Sequence, residues 1–310
     1  QIPSVVYLQE PNRHFYECLP ELPWVATSWT WQDLLDFNFC RKALKRRLKL
    51  PGIRVQARQE RRNAMAFDQI LVNSFFSRES LLRAFGVDSK VCYLGVDTER
   101  FVNQNQKRTD FAVCVAALYP AKNIDFLVRS LAAVPAYHRP KLVLICNMVD
   151  EFYREHLWKL AKAEGVDLEL KYRVADVEVV DLLNRARMML YAPRLEPFGY
   201  APLEANACGL PVIAVAEGGV RETIQDGVNG LLVEHDPRNM AQAIERLLLD
   251  QGLHQRLSQA AYKMARAKWS LNPSLQRLEE RLQAELSRLR PATPAHENHE
   301  DSLSVHPAQT

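Results

Sequence analysis

The sequence predicts an α/β protein built from two Rossmann-like, doubly wound parallel-sheet domains. Short apolar runs alternate with longer stretches of helical periodicity, which is the pattern of parallel strands connected by helices. The alternation restarts after a polar connector at residues 103–109, so two blocks with a cleft between them are expected. A chain of 310 residues is long enough for two cores.

The first block has three short apolar runs that read as strands, because most of their residues are apolar and several are β-branched. These runs lie at 4–8, 69–73 and 90–94, with helical patterns at 31–48 and 78–85. We therefore expect residues 1–105 to form a first domain, which the resemblance described below implies to be partial and to lie on the acceptor side.

The second block repeats the pattern with six runs. Strands are predicted at 111–117, 141–146, 167–171, 188–191, 211–215 and 230–233, and helices at 125–133, 152–163, 177–186 and 237–249. Residues 252–289 are helical throughout, with Trp269 and Pro273 marking a break between two helices. These patterns predict a second domain at 106–270, which the resemblance described below implies to be the nucleotide-sugar-binding one, and a helix at 271–290 that packs back on the first domain. The polar segment 291–310 predicts a disordered tail.

Composition excludes several classes of protein. The chain is 47% hydrophobic and 25% charged, which is typical of globular domains, and no apolar run reaches the length of a membrane span. Its six cysteines include no C-x-x-C pair, so we expect a reducing, cytoplasmic location and no metal site. No G-x-G-x-x-G follows a strand, which disfavours an NAD-linked dehydrogenase. The start has neither Met nor a signal-peptide pattern, and we expect a larger parent protein.

A basic stretch interrupts this ordinary composition. Residues 41–62 hold ten Lys or Arg and one Glu, a charge of +9, whereas the whole chain carries only +3. One interpretation is a solvated helix face, and the other is a patch for anionic lipid headgroups or a phosphorylated acceptor. Nucleic acid is disfavoured because no stacking aromatics are interleaved with these charges.

The segment 194–233 carries the chemistry. It places Glu196 and Glu204 on either side of the glycine turn at 198–200, which opens into a short helical pattern. Unpaired N–H groups and the positive dipole end of such a helix suit a phosphate, while a carboxylate accepts hydrogen bonds from adjacent sugar hydroxyls. Gly218 and Gly219 follow the next strand and would let the backbone approach a ligand closely. The order of these features predicts a nucleotide-sugar site.

At these residues the sequence resembles a family 4 retaining glycosyltransferase of the GT-B fold. The resemblance covers nearly the whole chain and is strongest at 194–233. Its specific motifs are E-P-F-G-x-x-x-x-E and E-G-G-x-x-E, and the supporting ones are Glu10-Pro11-Asn12-Arg13, Asn73-Ser74, Gly95-Val96-Asp97 with Phe101, and Pro120-Ala121-Lys122-Asn123.

The resemblance implies the role of each site residue. Lys122 would neutralise charge on the leaving diphosphate without a metal or other cofactor, and Glu196 would contact the transferred sugar. Glu204 would hold the ribose diol, and the backbone of Gly199 and Tyr200 would reach phosphate or sugar oxygens. The remaining expected site residues are Phe198, Gly218 and Gly219 on the donor side and Glu10 and Arg13 on the acceptor side.

The resemblance also implies the reaction: transfer to an acceptor hydroxyl, lipid-linked or other, with retention at the anomeric carbon. The donor's own diphosphate would help to deprotonate the acceptor. Glu222 is expected to brace its loop rather than to touch substrate.

Four departures from the family pattern leave alternatives open. Ala116-Ala117 stands where the family usually has Gly-Arg, so Lys122 would carry more of the diphosphate charge unless Arg194 compensates. Cys146-Asn147 stands where many members have a glycine after the second strand, and Gln9 stands where the acceptor loop often has a His. The glycine-rich loop and first strands of the first domain are missing. The alternatives are a nucleotide-sugar-binding module without turnover and a nucleotide-sugar epimerase on the same fold.

Overall fold

The computed structural model describes residues 4–12 and 37–289 and places them in two parallel sheets with helices. This arrangement confirms the predicted α/β class. The predicted tail at 291–310, the predicted helix start at 31–36 and Arg13 lie outside the described residues.

The first sheet has three parallel strands in the order β1-β2-β3. Its strands and helices, in chain order, are β1 (Val5–Tyr7), α1 (Phe37–Ala64), β2 (Gln69–Val72), α2 (Phe75–Phe85) and β3 (Lys90–Val91). Strand β2 is wholly buried, since it lies between its two neighbours and is covered by side chains of α2. The core of this domain is therefore small.

Both helices of the first domain differ from their predicted spans. Helix α1 was predicted to end at residue 48, but it continues through Pro51 to Ala64. A proline costs a helix one hydrogen bond and a steric clash, whereas residues 53–64 are mainly strong helix formers such as Arg, Gln, Glu and Ala. Helix α2 begins earlier than predicted because Ser74 caps it, accepting a hydrogen bond from the Ser77 N–H at 2.9 Å.

The second sheet has six parallel strands in the order β6-β5-β4-β7-β8-β9. The strands are β4 (Phe111–Val115), β5 (Lys141–Cys146), β6 (Leu168–Tyr172), β7 (Met188–Tyr191), β8 (Val212–Val215) and β9 (Gly230–Val233). Helices cover both faces, so the central strands are continuous apolar runs. Chain order reverses between β4 and β7, and doubly wound sheets bind ligands at such a point, beyond the carboxyl ends of the strands.

The remaining helices surround this sheet. They are α3 (Ile124–Ala132), α4 (Glu151–Ala163), α5 (Asp176–Arg185), α6 (Tyr200–Ala207), α7 (Val220–Thr223), α8 (Pro237–Leu249), α9 (Gln251–Lys268) and α10 (Leu271–Leu289). The predicted break near Trp269 is confirmed, and Pro273 lies in the first turn of α10, where proline is tolerated. Within the described ranges, no helix combines the length and apolar content that a bilayer crossing requires.

Helix α10 contacts the first domain. The Ser274 hydroxyl donates to the Tyr93 carbonyl oxygen at 2.9 Å. Lys90, the first residue of β3, forms an ion pair with the buried Glu285. The Val96 N–H donates to the Trp269 carbonyl oxygen at 2.7 Å. The chain thus returns to the first sheet after completing the second.

Candidate functional site

Two loops at the switch point are tied together. A short 3₁₀ turn, Pro120–Lys122, follows β4, and the segment 192–199 follows β7. The Arg194 N–H donates to the Ala121 carbonyl oxygen at 3.1 Å, and the Asn123 side-chain amide donates to the Ala192 carbonyl oxygen at 3.0 Å. Two residues that are distant in sequence, Lys122 and Glu196, are thereby brought to one place.

Lys122 and Glu196 form an ion pair. The Lys122 Nζ lies 2.7 Å from Glu196 Oε2, and the side chains are only 21% and 16% exposed. A pair that is largely withdrawn from water interacts more strongly than a surface pair. The structure thus places the two predicted catalytic residues in direct contact.

Glu204 is the fifth of the eight residues of α6 and lines a cavity of about 330 Å³. The cavity opens at the carboxyl ends of β4 and β5, where Ala116, Ala117 and Asn147 also line it. Burial raises the pKa of Glu204, and the charge of Arg100 opposes the rise. A buried carboxylate without a close cationic partner is a strong acceptor for hydroxyl donors.

The two glutamates do not share this cavity, because Glu196 is directed to Lys122 and does not line it. They are nevertheless close to one buried side chain, Tyr191 at the end of β7. Burial raises the pKa of the Tyr191 hydroxyl well above its usual value, and the charges of Glu196 and Glu204 act in the same direction. The two carboxylates therefore both lie near Tyr191, at the carboxyl end of β7.

Gly218 and Gly219 approach the backbone of the loop that carries Glu196. A Cβ on Gly219 would lie 2.0 Å from the Pro197 carbonyl oxygen, and one on Gly218 would lie 2.4 Å from the Glu196 carbonyl oxygen. The Gly219 N–H donates to that same Glu196 oxygen at 2.7 Å. The predicted close approach is thus made to residues 196–197, and a role of these glycines in donor binding stays a prediction.

The turn at 198–200 presents different groups at each residue. The Phe198 ring is buried among the rings of Tyr93, Tyr200 and Trp269, so its role in donor binding stays a prediction. Gly199 has φ +87° and precedes the first turn of α6, and Tyr200 is 40% exposed. The N–H groups of this first turn are those that a helix leaves unpaired.

Glu222 connects the two domains, which the sequence did not indicate. We expected it to brace its own loop, but its carboxylate accepts from the Phe75 N–H at 2.9 Å and the Phe76 N–H at 3.0 Å. It also accepts from the Tyr93 hydroxyl at 2.9 Å. Glu222 therefore caps helix α2 of the first domain, where a negative charge is stabilised by the helix dipole.

Ser74 makes a second connection at the same helix end. Its hydroxyl donates to the Pro197 carbonyl oxygen at 2.5 Å. Pro197 follows Glu196 directly, so the start of α2 contacts the loop that holds the predicted catalytic carboxylate.

Two arginines that the sequence analysis missed also line the Glu204 cavity. Arg100 forms an ion pair with Asp176, and Arg173 lies over the Tyr172 ring at 5.0 Å. Arg173 follows β6 directly, so its place at a carboxyl end was a usable signal. Arg194, our candidate to replace the missing arginine, has an exposed side chain and does not line this cavity.

The acceptor-side prediction is described only in part. Glu10 follows β1 and is half-buried, and the Asn12 N–H donates to Glu60 Oε1 at 2.9 Å. In the ranges that the structure describes, no cluster of three or more His, Cys, Asp or Glu side chains could hold a metal ion. The five cysteines in these ranges are free thiols.

Known proteins resemble this chain over its second half above all. Residues 95–264, more than half of the chain, match the family model described as Glycosyl transferases group 1. A D-inositol 3-phosphate glycosyltransferase of Salinispora tropica is 35% identical over 173 residues, which are 49% of this chain and 34% of that protein. The GDP-mannose-dependent alpha-(1-6)-phosphatidylinositol monomannoside mannosyltransferase of Mycobacterium tuberculosis is 29% identical over 229 residues, which are 65% of this chain and 58% of that protein.

Among solved structures, Anabaena Alr3699/HepE in complex with UDP and glucose aligns with a TM-score of 0.67 at 23% identity. The alignment covers 74% of this chain and 67% of that one. This likeness concerns the fold, and it confirms the GT-B arrangement of two parallel-sheet domains. The chain spans about a third of the length of the first curated relatives that it matches.

Proposed function

The chain belongs to the group 1 glycosyl transferases, and we propose that it moves a sugar from a nucleoside-diphosphate sugar to an acceptor hydroxyl. The observation that carries the proposal is the Lys122–Glu196 ion pair beside the Glu204 cavity. A cation, an acid and a buried acceptor for hydroxyls lie at the carboxyl ends of the central strands, where this fold binds ligands.

In the proposed reaction, Lys122 binds the diphosphate and stabilises the negative charge that grows as the sugar–phosphate bond breaks. Glu196 stabilises the positive charge that develops at the anomeric carbon. Glu204 accepts hydrogen bonds from the ribose hydroxyls. The diphosphate receives the acceptor proton on the face from which it leaves, so the anomeric configuration is retained and no metal takes part.

Two relatives suggest which donors to test. The Anabaena structure holds UDP and glucose, and the M. tuberculosis relative is named for GDP-mannose. We propose to titrate the full chain with UDP and GDP and to assay transfer from UDP-glucose and GDP-mannose to a panel of sugar and lipid-linked hydroxyl acceptors. The proposal expects one nucleotide to bind and transfer to be lost in Glu196→Gln.

A matched control separates this loss from a general effect of removing a glutamate. Lys159 and Glu155 on α4 form a pair at 2.6 Å, but their side chains are 75% and 64% exposed. Glu155→Gln should leave transfer unchanged. Wild-type turnover by Glu196→Gln, or failure to bind either nucleotide, would refute the assignment of this site.

One observation favours a second function. Ala117 lines the cavity where the family usually presents an arginine, so the diphosphate loses a bidentate partner. A module that captures the nucleotide sugar without turning it over would fit this loss. Binding in calorimetry without product in the transfer assay would identify the module.

We also propose that the basic helix α1 contacts anionic membranes. Its described part exposes Arg54, Arg58 and Arg62, and the exposed apolar residues Met65 and Phe67 follow it. Basic residues near apolar side chains favour an anionic interface. Co-sedimentation should be stronger with anionic than with neutral vesicles and should weaken when the three arginines are changed to Gln. Equal recovery with both vesicles would refute the proposal.

A further inference from the structure

A second large cavity lies at the amino ends of strands of the six-stranded sheet, opposite the Glu204 cavity. It has a volume of about 620 Å³ and is enclosed by the connector before β4, the residue before β7 and helix α9. The Glu204 cavity opens at the carboxyl ends of the strands, whereas this one, the connector cavity, lies at their amino ends. The two cavities share no lining residue.

The charges of the connector cavity have one sign. Lys107, Arg108 and Arg187 line it, and no aspartate or glutamate does. In the part of the chain that the structure describes, none of the three forms an ion pair with a carboxylate. Partly buried cations in proteins are usually paired, because an uncompensated charge away from water is costly.

Arg108 is held in place without being neutralised. Its guanidinium donates to the carbonyl oxygens of Leu183 and Ala186 at 2.9 Å and of Cys208 at 2.8 Å. Burial lowers the pKa of Arg108 to about 10, and the neighbouring charge of Arg187 acts in the same direction. The two guanidinium groups therefore act on each other, and neutral carbonyls are their only partners in the described structure.

Arg187 retains an unused donor. Its Nη2 donates to Gln251 Oε1 at 2.9 Å and to the Leu248 carbonyl oxygen at 3.1 Å, but its Nε is buried and has no acceptor among the described residues. Buried donors are rarely left unpaired. An anion that enters the cavity would supply the missing negative charge.

His254 adds no further charge. Burial lowers the pKa of His254 to about 4, with Arg187 and Arg108 acting in the same direction and a hydrogen bond to the Arg187 carbonyl oxygen opposing it. The imidazole is therefore neutral near pH 7. The rest of the lining is mainly side-chain amides and a hydroxyl, from Asn103, Asn105, Gln106, Gln255, Ser258 and Gln259. Such groups both donate to and accept from sugar hydroxyls.

We propose that the connector cavity binds a small phosphorylated polyol, such as a monosaccharide phosphate. The phosphate would lie against Lys107, Arg108 and Arg187, and the hydroxyls would lie against the amides. The cations select an anion, and the amides favour a ligand with hydroxyls over a bare ion. This site is separate from the donor site, so the proposal does not depend on the transfer reaction.

Calorimetric titration of the full chain tests this proposal with three probes: glucose 6-phosphate, inorganic phosphate and glucose. We expect glucose 6-phosphate to bind more tightly than inorganic phosphate and glucose not to bind. Lys107→Gln should weaken glucose 6-phosphate about tenfold, as expected for loss of one charge-assisted contact. Lys107 is exposed and has no partner in the described structure, so this variant should fold. Lys162→Gln, a change of an exposed lysine on α4, is the matched control and should have no effect.

Phosphate probes could also enter the donor site through Lys122. We therefore include Lys122→Ala, in which glucose 6-phosphate binding should be unchanged. Loss of binding in Lys122→Ala with retention in Lys107→Gln would overturn the proposal, and so would equal affinity for glucose and glucose 6-phosphate. Arg187→Gln, checked for folding by circular dichroism, should weaken binding at least as much as Lys107→Gln.

Discussion

Replacing Glu196 with Gln should have opposite effects on binding and on transfer. The Lys122 ammonium is paired with Glu196 at 2.7 Å. In the proposed donor complex, the diphosphate shares that lysine and also approaches a carboxylate of its own sign. Glu196→Gln removes the competing charge while keeping nearly the same shape, so UDP or GDP should bind more tightly although transfer is lost.

The size of the effect is estimated for a phosphate that binds the same lysine on the side away from Glu196, about 6 Å from its carboxylate. Two unit charges about 6 Å apart repel each other by about 3 kcal/mol at an effective dielectric constant of 20. The side chains of the pair are 21% and 16% exposed, so water screens part of this repulsion. We expect about 1–2 kcal/mol to remain, which corresponds to a roughly 5- to 30-fold decrease in Kd. Lys122→Met removes the attraction and should raise Kd by a comparable or larger factor.

Titration calorimetry with UDP and GDP, at low and at physiological salt, measures both changes. The exposed pair on α4 supplies the control, because Glu155→Gln removes the same group from a lysine at 2.6 Å but lies away from the site. The reasoning fails if Glu196→Gln weakens nucleotide binding, or if Lys122→Met leaves it unchanged.

Three further variants test the rest of the site. Glu204→Gln should weaken nucleotide binding about tenfold. It should also raise the free energy of unfolding near pH 7, as measured by urea titration. The pKa of Glu204 is raised in the folded protein, so the stability that its protonated form contributes at low pH is lost as pH rises through the folded pKa. Gln carries no charge and does not lose this stability. Equal wild-type and variant stability near pH 7 would contradict this. Glu222→Ala should lower the free energy of unfolding by about 1–2 kcal/mol, since it removes a helix cap; an unchanged urea midpoint would contradict the capping role. Gly219→Ala should abolish transfer because its Cβ would lie 2.0 Å from a carbonyl oxygen. As a control, Gly52→Ala, whose Cβ would have no atom within 4 Å, should stabilise α1 by about 0.5–1 kcal/mol. An active, stable Gly219→Ala protein would refute the steric argument.

Local pattern was sufficient for most of the fold. Strands β4 to β9 lie within two residues of their predicted spans, because buried parallel strands are apolar on both faces and end at turn residues. The end of α1 could not be read in this way, because a proline is a statistical stop. The thirteen residues of α1 that follow it are mainly good helix formers. The order of the six strands is fixed by packing between distant segments, which no local run records.

The site divides in a similar way. Lys122 and Glu196 were identified through the family motif, and their contact bridges 74 residues of sequence. Glu222 belongs to an equally clear motif, yet its partners are two backbone amide groups and the Tyr93 hydroxyl of the other domain. The sequence showed that a carboxylate stands after two glycines, but how the domains pack decides what that carboxylate binds.

These contacts give the first domain a part in the geometry of the donor site. Ser74 holds the Pro197 carbonyl oxygen at 2.5 Å, and Glu222 holds the same end of α2 at 2.9–3.0 Å. The Gly219 N–H, three residues before Glu222, fixes the Glu196 carbonyl oxygen at 2.7 Å. Movement of α2 therefore displaces the backbone on both sides of the Glu196 side chain. Since proximity in catalysis is lost over about 1 Å, we expect contact between the domains to contribute to the alignment of Glu196 with Lys122 in the proposed reaction.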